Sequence, residues 1–121
     1  MRGLVVDDSS VMRKVMAGAL TRAGVAEVEQ AADGLQAVEA CRKGKFDIVL
    51  MDWNMPNMLG IDALKSIRTQ DKATPIIMVT TEAEKSRVID ALKAGANNYV
   101  IKPFETTAIV SKIQETLAKA A

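Results

Sequence analysis

Three acidic residues, one threonine and one lysine each stand directly after a short apolar run. The runs and the residues that follow them are Leu4–Val6 with Asp7 and Asp8, Ile48–Met51 with Asp52, Ile76–Val79 with Thr80, and Tyr99–Ile101 with Lys102. Carboxylates, a hydroxyl and an ammonium can together bind a hard divalent cation. The same groups can accept a phosphoryl group and stabilise its oxygens. This chemistry requires that the residues meet in space.

The composition excludes several other kinds of site. The chain contains no histidine and a single cysteine, Cys41. A Ser-His-Asp triad, a Cys-His pair and a zinc site built from histidines or four cysteines are therefore impossible. Any chemistry must depend on carboxylates, hydroxyls, lysines and an oxygen-binding metal, and we expect Cys41 to be inert in a helix.

Length, charge and cysteine content limit the number of domains, the kinds of partner and the location in the cell. The 121 residues suit one domain, spanning 1–121, and 49% of them are hydrophobic, which is enough for a substantial core. The formal net charge of +1 gives no general field to attract nucleic acid or an anionic membrane, so we expect neither partner. A single cysteine, no secretory signal and no apolar run near ~20 residues predict a cytoplasmic location.

The apolar runs predict strands, and apolar stripes with helical spacing lie between them. Four runs lack alternation, as is typical of strands covered on both faces, whereas Val25–Gln30 alternates and is predicted to be an edge strand. The five stripes that predict helices contain Val11, Met12, Val15, Met16, Ala19 and Leu20; Leu35, Val38 and Cys41; Ile61, Leu64 and Ile67; Val88, Ile89 and Leu92; and Ile109, Ile113 and Leu117. We expect Gly24, Gly44 and Gly95 to end helices in the left-handed conformation.

Strands that alternate with helices predict an α/β fold. We expect a flavodoxin-like, doubly wound, five-stranded parallel sheet with the order 2-1-3-4-5 and five helices on both faces. Periodicity alone does not fix this order, although it agrees with the predicted edge strand. In such a sheet the carboxyl ends of the strands share one edge, so Asp7, Asp8, Asp52, Thr80 and Lys102 converge there.

The expected charge of this cluster predicts a metal. Two like charges about 4 Å apart repel by ~4 kcal/mol at an effective dielectric constant near 20. One ammonium against three carboxylates leaves a charge of about −2, which a divalent cation would balance. An all-oxygen ligand set favours Mg²⁺ or Mn²⁺ over zinc. Asp52 would then be the nucleophile, Lys102 and the metal would hold the arriving phosphoryl group, and Thr80 would donate a hydrogen bond to it.

The motifs "VVDDSS", "MDWNMPNMLG", "PIIMVTTE" and "NNYVIKPF" resemble those of the receiver domains of bacterial two-component response regulators. The resemblance spans essentially the whole chain and is strongest to the single-domain chemotaxis members. It implies that Asp52 accepts a phosphoryl group from a histidine of a partner kinase. It also implies that Asp8, Asp52 and the backbone carbonyl of Asn54 bind Mg²⁺ directly, and that Asp7 acts largely through water.

The resemblance assigns further roles. Thr80 and Tyr99 would be a switch pair in which the hydroxyl moves toward the phosphoryl group and the ring turns inward. Lys102 would pair with the phosphoryl oxygens, and the Lys102–Pro103 peptide bond would be cis. Asn54 and Glu82 would flank the water that hydrolyses the phosphoryl bond, which predicts comparatively fast self-dephosphorylation. Trp53, beside Asp52, is expected to be a partly exposed residue without a chemical role.

Several functions remain open on this basis. The first is a signalling switch that receives its phosphoryl group from a chemotaxis-type histidine kinase and changes its affinity for a downstream protein such as the flagellar motor switch. The alternatives are the receiver module of a larger response regulator, a small aspartyl-phosphate phosphohydrolase, and a receiver-like module that is never phosphorylated. We expect no enzymatic activity beyond phosphotransfer to Asp52 and slow self-dephosphorylation. We expect a monomer. Because no effector follows Ala121 in the sequence, we expect this monomer to act by docking to another protein.

Overall fold

Five strands alternate with five helices in a computed structural model that describes residues 1–121. In chain order the elements are β1 Arg2–Val6, α1 Ser10–Arg22, β2 Glu27–Ala31, α2 Gly34–Lys43, β3 Ile48–Met51, α3 Gly60–Arg68, β4 Ile76–Thr80, α4 Lys85–Lys93, β5 Asn98–Ile101 and α5 Thr106–Ala120. None of these helices combines the length and the apolarity needed to cross a bilayer.

All four strand pairings are parallel, and the order is β2-β1-β3-β4-β5. The predicted fold class and strand order are therefore confirmed. The register aligns Val6 with Met51, so the residues that follow these two strands, Asp7 and Asp52, leave the sheet at the same level. Thr80 pairs with Ile101, which places Lys102 immediately beyond the same edge.

Each face of the sheet is covered by helices, because successive side chains of a strand point to opposite faces. On one face Leu4 and Val6 of β1 share a buried cluster with residues of α2, α3 and α4. On the other face Val5 shares a cluster with residues of α1 and α5. The strands β1, β3 and β4 thus lie in the centre of the core, and they carry Asp7, Asp8, Asp52 and Thr80.

The edge position of β2 is confirmed, although the strand spans Glu27–Ala31 rather than Val25–Gln30. Its Glu27, Glu29 and Gln30 are exposed. The first strand begins at Arg2, two residues earlier than predicted. The prediction began only at Leu4 because Gly3 interrupts the apolar run. A Cβ at Gly3 would lie 2.7 Å from Leu20 Cδ1, so this strand position needs glycine for close packing of α1.

Parts of the predicted helical stripes lie outside the core. Met16, Ala19 and Leu20 are buried, but Val11 is 71% exposed at the start of the same helix. Leu35 of α2 and Leu92 of α4 are also exposed. A helix on a sheet buries only the face that contacts the strands, so apolar residues at the margin of the stripe stay in solvent.

Two of the three glycines predicted to adopt the left-handed conformation do so. Gly24 has φ +103° and Gly95 has φ +111°, directly after α1 and α4. The prediction for Gly44 was wrong, because its φ of −170° is extended backbone. The only atoms near a Cβ at Gly44 belong to the end of the Arg2 side chain, the closest being Nη1 at 3.1 Å.

One arginine ties together the loops at the amino ends of β4 and β5, opposite the edge where the acids lie. Arg68 Nη2 donates to the carbonyls of Thr74 at 2.7 Å and Gly95 at 2.9 Å. Arg68 Nη1 donates to the carbonyl of Asp71 at 3.0 Å, and Nη2 also reaches Asn97 Oδ1 at 3.0 Å. Hydrogen bonds from a charged donor are among the stronger ones in proteins.

Candidate functional site

The carboxylates of Asp7, Asp8 and Asp52 meet at the carboxyl ends of β1 and β3. One oxygen from each lies within 4.8 Å of the others. Asp7 is 1% exposed and Asp52 is 7% exposed, whereas Asp8 faces solvent. Two of the three acids are therefore buried side by side, which is costly unless a cation or hydrogen bonds compensate.

Backbone hydrogen bonds fix the two buried acids in place. The amide of Asp7 donates to the carbonyl of Ala31, and the amide of Asp52 donates to the carbonyl of Val6, so the sheet pattern continues one residue past each strand. The loop after Asp52 returns at Gly60, whose amide donates to the carbonyl of Trp53 at 2.7 Å. A Cβ at Gly60 would lie only 1.8 Å from the backbone oxygen of Asp52. Only glycine fits so close to the acid.

Lys102 supplies the positive charge of the cluster. Its Nζ lies 2.6 Å from Asp7 Oδ2 and 3.4 Å from Asp52 Oδ2, and its side chain is 13% exposed. The backbone amide of Lys102 donates to the carbonyl of Thr80 at 2.9 Å, which anchors the end of β5 to that of β4. The Lys102–Pro103 peptide bond is cis, as the family resemblance implies.

Asp7 and Asp52 have different partners. Asp7 Oδ1 accepts the amide hydrogen of Ser9 at 2.9 Å, and its Oδ2 accepts from Lys102, so both oxygens are occupied. Asp52 Oδ1 accepts from the amide of Trp53 at 2.8 Å. Burial raises the pKa of Asp52, while the charge of Lys102 and a hydrogen bond from Thr80 oppose this effect. The nearby charge of Asp7 raises the pKa of Asp52 further.

The donor set suits a hard divalent cation. Three carboxylates with converging oxygens supply only hard ligands, and exposed Asp8 leaves the cluster open to solvent on one side. Mg²⁺ prefers oxygen ligands and keeps several of its waters, which requires such an opening. Asn54, also exposed, lies two residues after Asp52 in the loop between β3 and α3.

A second group of residues links the loops that follow β3 and β4. Asn54 Nδ2 donates to Glu82 Oε2 at 2.9 Å, and the hydroxyl of Tyr99 donates to the backbone carbonyl of Glu82 at 2.5 Å. Thr80 is fully buried, and its Oγ1 accepts the amide hydrogen of Glu82 at 3.3 Å. Glu82 thus contacts three of the residues that the sequence singled out: Asn54, Thr80 and Tyr99.

Burial raises the pKa of Tyr99 to about 12, and the carboxylate of Glu82 contributes to this rise. The phenol is therefore protonated at neutral pH and acts as the hydrogen-bond donor to Glu82. Its side chain is half-buried at the end of the sheet. This position links the segment that contains Glu82 to β5.

Two residues near the site differ from the sequence-based expectation. Trp53 is only 4% exposed and belongs to the buried cluster that the sheet shares with α2, α3 and α4, so the prediction of a partly exposed residue was wrong. Arg87 was not singled out, yet its guanidinium carbon lies 5.5 Å from the centre of the Trp53 ring and its Nε lies 3.7 Å from Glu82 Oε1. No spacing rule indicates this contact, because Glu82 precedes α4 and the residues are five positions apart.

Comparison with known proteins agrees with this geometry. Residues 4–114 match the response regulator receiver domain family. The chemotaxis protein CheY-3 of Vibrio cholerae is 42% identical over 117 residues, which are 95% of this chain and 90% of that protein. The chemotaxis protein CheY homolog of Campylobacter jejuni is 44% identical over 120 residues, 97% of this chain and 92% of that one.

A solved structure agrees with the fold as well. The chemotaxis response regulator CheY4 of Vibrio cholerae superposes with a TM-score of 0.87 at 37% identity, covering 95% of this chain and 97% of that one. Family match, sequence identity and fold therefore lead to the same assignment. The chain belongs to the response regulator receiver domain family, as a CheY-like member of the phosphorylation switches of two-component signalling.

Proposed function

We propose that this protein is a signalling switch of a chemotaxis-type two-component system and that Asp52 is its phosphoryl acceptor. The observation that supports this proposal best is the placement of the Asp52 carboxylate. It is buried beside Asp7, 3.4 Å from the ammonium of Lys102, in a cluster that Asp8 opens to solvent. A carboxylate held next to a cation at an accessible edge suits nucleophilic attack on phosphorus.

The reaction transfers a phosphoryl group from a histidine of a partner kinase. An oxygen of Asp52 forms a bond to phosphorus, and the bond from phosphorus to the imidazole nitrogen breaks. The electron pair of that bond stays with the imidazole, which takes a proton from solvent. Lys102 pairs with the oxygens of the transferred group, and the hydroxyl of Thr80 donates a hydrogen bond to one of them.

Asp7, Asp8, Asp52 and the backbone carbonyl of Asn54 are the groups that would hold Mg²⁺, with Asp7 acting mainly through water. Bound Mg²⁺ supplies neutralisation of the acidic cluster and of the phosphoryl oxygens. The three carboxylates support this assignment because their oxygens converge within 4.8 Å and Lys102 alone does not balance their charge.

Thr80 and Tyr99 form the switch. Movement of the Thr80 hydroxyl toward the phosphoryl group removes the acceptor of the Glu82 amide hydrogen, and the Glu82 segment also holds the Tyr99 hydroxyl. A shift of this segment therefore frees the Tyr99 ring to turn inward. Because Lys85 begins α4 only three residues after Glu82, the change reaches the start of α4.

The surface through which the switch acts on other proteins is formed by α4 and β5. Ile89, Leu92 and Ile101 are large apolar residues exposed by 39%, 47% and 44% on these two elements. Half-buried Val88 and Tyr99 belong to the same elements. We propose that a downstream protein, such as the flagellar motor switch, docks here with an apolar segment, and that phosphorylation changes its affinity.

Asn54 and Glu82 set how long the signal lasts. Their side chains are hydrogen-bonded to each other across the loops that follow β3 and β4, which supports a role in orienting the water that attacks the phosphoryl group. Apart from this self-dephosphorylation the protein has no turnover. A small phosphohydrolase would need a second acid two residues after the nucleophile, and that position is Asn54.

Residues 1–121 act as one receiver domain in the cytoplasm, as a monomer, without contacting nucleic acid or membrane. The formal net charge of +1 supports the last point. The phosphodonor is a chemotaxis-type histidine kinase. The names of the CheY relatives from Vibrio cholerae and Campylobacter jejuni support the chemotaxis role.

Fluorescence of Trp53, the only tryptophan of the chain, tests the proposal. The backbone amide of Trp53 donates to Asp52 Oδ1, so the emission of the indole ring should respond first to Mg²⁺ and then to acetyl phosphate or beryllofluoride. The response to the phosphodonor should be lost in Asp52→Asn. Sustained hydrolysis of many phosphate esters would instead indicate a phosphohydrolase, and no response to either addition would indicate a module that is never phosphorylated.

A further inference from the structure

Arg87 of α4 reaches back from the helix to two residues beside the phosphoryl acceptor. Its guanidinium carbon lies 5.5 Å from the centre of the Trp53 ring, and its Nε lies 3.7 Å from Glu82 Oε1. Trp53 is buried and fixed, because it directly follows Asp52 and packs in the core. The guanidinium therefore lies over a buried ring at a distance that allows a cation–π contact.

The Glu82 carboxylate consequently has a partner at each oxygen. Oε1 pairs with Arg87, and Oε2 accepts from Asn54 Nδ2 at 2.9 Å. The Glu82 side chain is 31% exposed, so without these partners it would sample several rotamers in solvent. With both partners the carboxylate is held between the loop after β3 and the first turn of α4.

We propose that Arg87 is a positioning residue for the loss of the phosphoryl group from Asp52. It acts through Glu82, by holding the carboxylate in the orientation in which that residue and Asn54 direct the attacking water. The inference rests on the proposed function, and it adds a residue that touches neither the water nor the phosphoryl group. Fixing a catalytic group in a productive geometry raises the rate by reducing the disorder that must be lost in the transition state.

The pairing requires arginine rather than a generic cation. A guanidinium presents a flat face to the indole ring and an N–H edge to the carboxylate at the same time, whereas an ammonium is a compact point charge. Because Arg87 is 48% exposed, its removal should change the stability of the fold very little. Its effect on the lifetime of the phosphorylated state is therefore separable from its effect on folding.

The experiment follows decay of the phosphorylated full chain. The protein is loaded with acetyl phosphate and Mg²⁺, the donor is removed, and the fraction that carries the phosphoryl group is measured by intact mass over time. Arg87→Gln should lengthen the half-life about threefold, the size typical of an exposed charge pair. Arg87→Lys should restore only part of the wild-type rate. Lys93→Gln, which removes another exposed cation of α4, is the matched control and should leave the half-life unchanged.

A double-variant cycle shows whether Arg87 acts through Glu82. Glu82→Gln alone should lengthen the half-life, and adding Arg87→Gln to it should have no further effect. Higher salt should lengthen the wild-type half-life but not that of Arg87→Gln, because an exposed pair is screened. If Arg87→Gln changed the half-life equally in the wild type and in Glu82→Gln, or left the wild-type half-life unchanged, the inference would be overturned and the proposed function would remain intact. Failure of the wild-type chain to take up any phosphoryl group would overturn both.

Discussion

The Lys102 ammonium lies closer to Asp7 than to the proposed acceptor, at 2.6 Å from Asp7 Oδ2 against 3.4 Å from Asp52 Oδ2. Without a metal, Lys102 therefore serves mainly to neutralise a fully buried acid. A cation that binds the acidic cluster competes with Lys102 for the charge of Asp7. Lys102 would then be released toward the phosphoryl group on Asp52.

Replacement of Lys102 should separate metal binding from phosphorylation. In Lys102→Met the affinity for Mg²⁺ should rise about tenfold, because a positive charge next to the ligands is lost. Phosphorylation by acetyl phosphate should nevertheless become slower, since the phosphoryl oxygens lose their ammonium partner. Calorimetric titration with Mg²⁺ and intact mass measure the two quantities. Lys112→Met, an exposed lysine of α5, is the control, and weaker Mg²⁺ binding in Lys102→Met would contradict this account.

Asp52, the proposed phosphoryl acceptor, should lower the stability of the fold in the absence of divalent cations. Burial and the charge of Asp7 both raise the pKa of Asp52, so its ionised form is disfavoured. Asp52→Asn should increase the free energy of unfolding by about 1–2 kcal/mol in the presence of a chelator. At saturating Mg²⁺ the order should reverse, because Asp52→Asn removes one of the proposed Mg²⁺ ligands and the ion stabilises only the state that binds it. Urea unfolding under both conditions measures this, and an Asp52→Asn protein that is less stable with chelator would refute it.

Tyr99 should make the stability depend on pH in the alkaline range. Burial raises its pKa to about 12 from an ordinary value near 10, so the folded chain holds the phenolic proton more tightly than the unfolded chain does. The stabilisation is complete below pH 10 and is lost as the pH rises through about 12. Tyr99 is the only tyrosine, so tyrosinate absorbance reports its titration directly. The fall in stability between about pH 9 and about pH 11 should be smaller in Tyr99→Phe, and equal falls in both proteins would exclude this explanation.

Two glycine-to-alanine changes should have opposite effects. At Gly60 a Cβ would lie 1.8 Å from the Asp52 backbone oxygen, so Gly60→Ala must displace the acceptor loop. We expect a loss of about 2 kcal/mol or more in stability together with slower phosphorylation. At Gly18, exposed in α1, no atom lies within 4 Å of the added Cβ. Gly18→Ala should therefore stabilise the helix by up to about 1 kcal/mol without changing phosphorylation, and chemical denaturation compares the two.

Much of the fold follows from the sequence because apolar runs and stripes have different periods. The strands Ile48–Met51 and Ile76–Thr80 are buried along their whole length, and their sequences are apolar up to Met51 and Val79. Since a polar residue, Asp52 or Thr80, comes directly after each apolar run, the parallel topology brings those residues to one edge. The sheet order was also predicted correctly. The predicted edge strand β2 began two residues too early, because Val25 is a buried apolar residue that lies before the strand and not in it.

The remaining features depend on contacts between distant segments. The burial of Trp53 results from its place in the cluster between the sheet and the helices, and nothing in the neighbouring residues indicates it. The contacts of Arg87 with Trp53 and Glu82 depend on how α4 lies over the loop after β3. Glycine is likewise required at position 60 because a Cβ there would lie too close to the backbone oxygen of Asp52. Such distances are set by tertiary packing, which local periodicity does not encode.

The hydrogen bonds of Arg68 have a mechanical consequence. They fasten the loops before β4 and β5 to one guanidinium, at the end of the sheet remote from Asp52. At the opposite end, the side chain of Lys102 contacts Asp7 and Asp52, and Glu82 contacts Asn54 and Tyr99. The loops at the Arg68 end are therefore joined through backbone carbonyls that one side chain binds together. In the switch proposed above, displacements of Thr80 and Tyr99 would therefore change the outer surface of α4 while the loops bound by Arg68 keep their arrangement.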